Sequence, residues 1–333
     1  MKILVYDTAA ESGGAISILK MYYEKALLDK DNEWTFIVSK RGYLPDEKGI
    51  NVIECSYPKK SWIHRLIFDK FKAKKVFKKC NPDIIYNLQN VLVKYKGCKQ
   101  IIYMHQPIPF FDYKISILDF KIWLYKRVIS KMIIKSIKKC DSVIVQTNWL
   151  KDAVIKKTRV DSNKITVSPI TRYFETTRKY EKGNVQFFYP AAAIKYKDHI
   201  TILKACKELK KDKYDFKTFF TISSKDNKLA KKLNKYAVKN DLNVIFLGKI
   251  DMDNVYDYYS KSILVFPSYI ETFGLPLLEA RTVGSPIIAS DTPFANEILD
   301  GYKVNYFKVQ DYLGLAGEMR KYLDNNNEKK REV

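Results

Sequence analysis

Cysteine is scarce and unpaired in this sequence. Cys55, Cys80, Cys98, Cys140 and Cys206 are odd in number, scattered, and show no CxxC or metal-ligand spacing. That pattern excludes a disulfide frame and predicts reduced thiols in a cytosolic protein. Long hydrophobic runs are missing as well. No stretch of eighteen or more apolar residues occurs, so no membrane-spanning helix is expected. The opening Met1-Lys-Ile-Leu-Val-Tyr6 enters a strand pattern directly, without the apolar core and cleavage site of a secretory leader. Acidic residues are also in deficit: 37 Asp and Glu face 60 Lys and Arg, a net charge of +23.

The deficit is local. From Ser56 to Cys140, 20 Lys and Arg stand against four Asp and no Glu, which places about +16 of the excess in that stretch. A charge confined to one part of the chain implies a basic face and an anionic partner: nucleic acid, acidic lipid or a phosphorylated substrate. What is present in quantity is apolar. Hydrophobic residues make up 46% and aromatics 14% of 333 residues, enough for packed cores and too many for a disordered chain. The length suits two domains of ordinary size.

Lys2-Ile-Leu-Val-Tyr6 reads as a strand, Asp7 to Gly14 as a glycine-containing turn, and Ala15 to Leu28 as an amphipathic helix. This is the first unit of a parallel α/β sheet. Further strands are expected near 34–38, 51–54, 83–86, 100–104 and 141–146, with helical patterns over 63–79 and 117–139. A polar, aperiodic stretch follows at 170–183, and a second series of strands and helices begins at Gln186. The expected organisation is a Rossmann-like domain over 1–172, a linker at 173–184 and a second Rossmann-like domain over 185–333. Its last helix, about 310–324, is a candidate to pack back on the first domain, and Asn325 to Val333 is expected to fray. Tandem α/β halves of this kind bind ligands in a cleft between them, at the carboxyl ends of the strands.

The most informative stretch runs from Ile263 to Ser290. A buried strand pattern ends near Phe266, and a loop carries Glu271. Gly274 permits a tight turn, Pro276 suits the first turn of a helix, and Gly284 suits its end. The N-terminus of that helix would offer N–H groups and the positive end of its dipole, a good place for a diphosphate. Glu271 and Glu279 flank it, and ionised carboxylates are strong acceptors for hydroxyl groups. Taken alone, the E-x7-E spacing suits solvated acids beside an ordinary turn equally well.

The neighbouring residues decide between these. Glu271-Thr-Phe-Gly-Leu-Pro-Leu-Leu-Glu279, then Gly284-Ser-Pro-Ile-Ile-Ala-Ser290 and Glu297, resembles the donor motif of the family 4 glycosyltransferases of GT-B fold. Tyr189-Pro-Ala-Ala-Ala-Ile-Lys-Tyr-Lys-Asp-His199, Val244-Ile-Phe-Leu-Gly248 and Val143-Ile-Val-Gln-Thr-Asn-Trp149 resemble other segments of that family, so the likeness covers nearly the whole chain. The resemblance implies a GT-B enzyme that moves a hexose-type sugar from a nucleotide-diphosphate sugar with retention of anomeric configuration. The acceptor implied is a glycan or a polyprenyl-diphosphate-linked molecule, in the synthesis of cell-surface polysaccharide such as lipopolysaccharide, capsule or exopolysaccharide. By the same resemblance Glu271 contacts the transferred sugar, with Thr272 beside it, and the backbone of Phe273, Gly274 and Leu275 holds sugar and phosphate. Glu279 accepts from the ribose hydroxyls. Lys197, helped by Lys195, neutralises the diphosphate as the leaving group gains charge. Gly248 and Tyr269 lie near the base, Gly13 and Gly14 form the glycine loop of the first domain, and His105 is the acceptor-side histidine. Ala191 and Ala192 stand where the family often has an arginine. No Asp-x-Asp cluster stands out at a strand end, which fits a site that binds the diphosphate through protein cations and needs no cofactor or metal. A nucleotide-sugar 2-epimerase of similar fold is the alternative, and it lacks the Glu-Thr-Phe-Gly-Leu-Pro signature.

Of the other two histidines, His64 lies in a basic helical pattern and His199 suits a structural place at a helix start. No nucleic-acid-binding module is visible. The basic segments at 62–79 and 117–139 read as helices with one packed and one solvated face, or as surfaces for anionic lipid at the inner face of the cell membrane.

Overall fold

The computed structural model describes residues 1–10, 14–111, 125–170, 176–183 and 185–331. The chain divides into two compact units, Met1–Pro169 and Ile170–Val333.

In the first unit the described strands are β1 (Lys2–Asp7), β2 (Glu33–Val38), β3 (Ile50–Glu54), β4 (Ile84–Asn87), β5 (Lys99–Tyr103), β6 (Ser142–Val145) and β7 (Ile165–Val167). They form a parallel sheet in the order β3-β2-β1-β4-β5-β6-β7. β1 reads as a continuous apolar run because helices cover both faces of a parallel sheet. Helix α1 (Gly14–Leu28) follows β1. After β3 the chain forms one irregular helix: α2 (Trp62–Ile67), a π turn (Phe68–Lys72) and α3 (Ala73–Cys80). Its buried residues Phe68, Ala73 and Phe77 join Leu4, Tyr6, Ile37, Ile85 and Val93 in one core cluster. A second cluster gathers Ile102, Met104, Val143 and Val145 of the sheet with Ile133 and Ile137 of α4 (Ser130–Lys139) and Leu150 and Val154 of α5 (Asn148–Thr158). The helix expected over 117–139 is therefore present in its C-terminal part, with residues 112–124 outside those described. Lys131, Lys135, Lys138 and Lys139 line its exposed side.

The second unit repeats the plan. Strands β8 (Gln186–Tyr189), β9 (Lys217–Phe220), β10 (Val244–Phe246), β11 (Ile263–Phe266), β12 (Ile287–Ser290) and β13 (Val304–Phe307) form a parallel sheet in the order β10-β9-β8-β11-β12-β13. In local numbering the second sheet runs 3-2-1-4-5-6 and the first runs the same way with a seventh strand added, and the order reverses direction between β1 and β4 and between β8 and β11. Doubly wound sheets bind ligands outside the carboxyl ends of their strands at that reversal. The helices are α6 (His199–Lys211), α7 (Lys228–Lys239), α8 (Met252–Lys261), α9 (Leu275–Val283), α10 (Pro293–Ile298) and α11 (Tyr312–Arg331).

One expectation changes. The last helix does not stop at residue 324 but continues to Arg331, because the polar run from Glu328 to Arg331 consists of good helix formers and needs no apolar face to continue a helix already begun. α11 packs on α6 and β13 of its own unit. The described part of the expected linker, 176–183, has no regular structure but is tied down: Tyr180 N–H donates to Val283 O at 2.9 Å and Glu181 N–H to Ser260 O at 2.8 Å.

Candidate active site

In the second unit two loops leave the strand ends at the reversal point. The β8 loop closes in a 3-10 turn, Lys195–Lys197, and the β11 loop leads to α9. These two loops are stapled by backbone: Tyr269 N–H donates to Tyr196 O at 3.1 Å. The Lys197 ammonium forms an ion pair with Glu271 Oε1, and both side chains are less than one-fifth exposed. Ser268 Oγ lies 2.8 Å from the same carboxylate oxygen and 3.2 Å from Tyr196 O. Tyr189 Oη donates to Lys197 O at 2.8 Å, which fixes the lysine backbone from below.

Gly274 is the N-cap of α9 with φ +81°, a left-handed conformation that favours glycine. A Cβ there would lie 3.1 Å from Leu277 Cδ1. Pro276 in the first turn carries no N–H, and among the described residues the N–H groups of Gly274 and Leu275 make no hydrogen bond. The helix therefore presents its first donors at the carboxyl end of β11. Phe273 is buried beneath them and Tyr269 is buried beside them, so Phe273 can offer a ligand only its backbone. α9 stops at Gly284, also left-handed at φ +84°.

Glu279 sits one turn into α9 and is 8% exposed. Tyr259 Oη donates to its Oε2 at 2.8 Å. Burial raises its carboxyl to about 7, and the Tyr259 hydrogen bond only partly offsets that. Gly248 ends β10 with φ +74° and donates to Ile222 O at 3.1 Å. Lys195 is exposed on the turn that carries Lys197. Ala191 is buried and its carbonyl accepts from His199 Nε2 at 3.2 Å. His199 is wholly enclosed by Tyr189 and Phe220, and burial lowers its imidazole to about 3, so it is a neutral packing residue under the loop. Sequence reasoning missed Ser268, a polar residue just after the apolar strand β11, and Tyr259, which lies within α8.

In the first unit Gly14 begins α1, and Gly13 lies outside the described residues. His105 follows β5. Its N–H donates to Asn90 Oδ1 at 2.8 Å, and its Nε2–H is hydrogen-bonded to Leu88 O, which leaves Nδ1 for other work. Asp7 at the end of β1 is 1% exposed. Its Oδ1 accepts from the N–H groups of Ala9 and Ala10 at 3.0 and 2.9 Å, while its buried Oδ2 has no hydrogen-bond partner among the described residues. Burial raises the Asp7 carboxyl and lowers the His105 imidazole, each offset in part by the charge of the other. Around them Thr8 bonds Gln89 at 3.1 Å, Arg65 Nη2 donates to Gln89 O at 3.1 Å, and Tyr6 donates to Asp69. None of Asp7, Arg65, Asp69 and Gln89 was singled out from the sequence, although Asn87-Leu-Gln-Asn90 is a polar run at a strand end. Beside this cluster a concavity of about 680 Å³ opens over the carboxyl ends of β2 and β3, lined by Ser39, Lys40, Tyr43, Glu54, Ser56 and Lys59.

No group of three or more His, Cys, Asp or Glu that could hold a metal occurs among the described residues. Two doubly wound sheets in tandem, with functional groups at the strand reversal of each, define the GT-B class. Family models match consecutive parts of the chain: "Glycosyltransferase Family 4" over residues 22–169 and "Glycosyl transferases group 1" over residues 170–333. The chain belongs to this glycosyltransferase family. It is 29% identical over 221 residues to the O-antigen chain mannosyltransferase RfbU of Salmonella typhimurium, a match spanning 63% of this chain and 61% of that relative. Among solved structures it resembles sucrose-phosphate synthase from Thermosynechococcus elongatus (TM-score 0.74, 15% identity, covering 97% and 90% of the two chains). It also resembles HepE of Anabaena in complex with UDP-glucose (TM-score 0.68, 15% identity, covering 98% and 91%). These likenesses establish the fold.

Proposed function

We propose that this chain transfers a hexose-type sugar, with retention, from a nucleotide-diphosphate sugar to a glycan or lipid-linked acceptor in cell-surface polysaccharide synthesis. The observation that carries the reading is the Lys197–Glu271 pair beside the first N–H groups of α9. A diphosphate needs cations and N–H donors, and a sugar needs acceptors for its hydroxyls; here the two requirements meet within one ion pair. Lys197 and the α9 N-terminus neutralise the diphosphate, most strongly as the leaving oxygen gains charge, so no divalent ion is required. Lys195, Thr272 and Tyr269 border the same loops. Glu271 then holds sugar hydroxyls, and Glu279, buried and fixed by Tyr259, accepts from the ribose. Gly248 borders the base. The departing phosphate takes the acceptor proton, and neither glutamate acts as the nucleophile.

The first unit supplies the acceptor side. Within this unit His105 is the candidate for the reacting sugar, by the family resemblance, and the concavity over β2 and β3 offers hydroxyl acceptors and two lysines to a sugar or phosphate. The O-antigen role of RfbU and the UDP-glucose held by HepE support this choice of donor class and pathway. The basic first unit suits peripheral contact with anionic lipid at the inner membrane face, where a polyprenyl-diphosphate-linked acceptor resides. The test is to incubate the protein with UDP-, GDP- and dTDP-sugars, with and without cell membranes and EDTA. Slow donor hydrolysis, accelerated by membranes and insensitive to EDTA, is expected. No turnover of any donor in the presence of membranes sinks the reading.

A further inference from the structure

The irregular helix Trp62–Cys80 turns its buried side chains Phe68, Ala73 and Phe77 into the core of the first unit. Its opposite side carries large apolar residues in water. Ile63 is 62% exposed, Ile67 38% and Phe71 59%, three positions spaced i, i+4, i+8 along one helix face. Lysines surround them. Lys70, Lys74, Lys75, Lys78 and Lys79 are all exposed, and the Lys70 ammonium lies 5.1 Å from the centre of the Phe71 ring. From Lys59 to Lys79 nine Lys and Arg face one acid, Asp69, which is itself turned inward to Tyr6.

We infer that this face is the membrane-docking surface of the protein, with Ile63, Ile67 and Phe71 entering the interface and the lysines lying on anionic head groups. Two observations select a bilayer as occupant. The charge is of one sign, which requires an anionic partner, and the apolar stripe lies in the middle of that charge, which requires the same partner to present hydrocarbon beneath it. The helix is also held rigidly for this purpose: Arg65 and Asp69 tie its inner side to the ends of β1 and β4 through Gln89 and Tyr6. The inference deepens the lipid-linked acceptor reading and rests on it, since docking at this helix brings the neighbouring concavity, whose lining includes Ser56 and Lys59, to the lipid surface.

The test is co-sedimentation of the full-length protein with phosphatidylcholine vesicles, with and without phosphatidylglycerol. The expected result is at least about tenfold greater retention on the anionic vesicles, part of it persisting at high salt. Replacing Ile63, Ile67 and Phe71 together with Ser removes the salt-resistant part. Replacing Lys74, Lys75 and Lys78 together with Glu abolishes the rest. Because all six side chains are exposed, the variants keep the wild-type melting temperature, and Val238→Ser with Met252→Ser in the second unit serves as a control that leaves retention unchanged. Retention of the Ser triple variant equal to wild type, or equal binding to neutral vesicles, overturns the inference. Donor hydrolysis in solution is measured alongside. A protein that hydrolyses donor but ignores vesicles refutes the docking face alone, whereas one that docks but turns over no donor refutes the catalytic reading alone.

Discussion

Lys197 and Glu271, 74 residues apart in the chain, neutralise one another at the carboxyl ends of two adjacent strands, β8 and β11. Each side chain is mostly buried beside the other. Lys197→Met leaves a mostly buried carboxylate without its cation, and such single changes are costly, about 2–4 kcal/mol for a pair this enclosed. The double variant Lys197→Met, Glu271→Gln recovers most of that stability. Activity behaves differently: kcat/KM falls by about 10²–10³ in Lys197→Met and is not restored in the double variant. Thermal melts and donor hydrolysis rates check both halves.

Glu279 gives a pH signature. Its folded value of about 7 stands above the ordinary 4.5, so the native state holds a proton that the unfolded chain releases. The stability associated with the protonated carboxyl is therefore full below about pH 4.5 and is lost as pH rises to about 7, by roughly 3 kcal/mol at most. Glu279→Gln mimics the protonated form and lacks this slope. Its melting temperature should gain on wild type from about pH 4.5 to 7 and level off above that. A constant difference across that range contradicts the buried-carboxyl account.

Gly274→Ala tests the helix start. The residue must keep a φ of +81°, and its new methyl meets Leu277 at 3.1 Å. A loss of about 1–2 kcal/mol is expected from the backbone alone. Because the shift occurs where N–H groups are aimed at the diphosphate, donor KM should rise about tenfold or more, measured by initial rates over a range of donor concentration.

Asp7→Asn separates the two units. Asn keeps the oxygen that receives Ala9 and Ala10, so the fold survives and the melting temperature changes little. What disappears is the charge felt by His105. The expected result is a fall in kcat of about tenfold to a hundredfold with donor KM little changed, because the proposed reading gives the main donor contacts to Lys197, Glu271 and Glu279 of the second unit. A parallel rise in donor KM would place Asp7 elsewhere in the mechanism.

The parts of this architecture that could be read from sequence are those where physical chemistry acts locally. β11 and α9 announce themselves through four apolar residues, a glycine obliged to adopt positive φ and a proline in the first turn. β7 and β13 do not: Ile165-Thr-Val167 and Val304-Asn-Tyr-Phe307 are short edge strands whose outer residues face water, so their pattern is diluted. The same division holds for the candidate site. Glu271 and Lys197 were visible through the motifs that hold them, but their pairing arises only when β8 and β11 become neighbours. Asp7 was hidden altogether, since a single acid after a strand looks solvated until the fold buries it.

The π turn at Phe68–Lys72 sets which side chains of this helix face the core. The buried stripe steps from Phe68 to Ala73 and then to Phe77, a gap of five residues followed by one of four. In an unbroken α-helix the residue beneath Phe68 would be Lys72, and a lysine would enter the core. The wide turn takes up one residue more than an α turn would, so the inner stripe stays in register on both sides and Lys72 is diverted onto the Tyr57 ring, 3.9 Å from its centre.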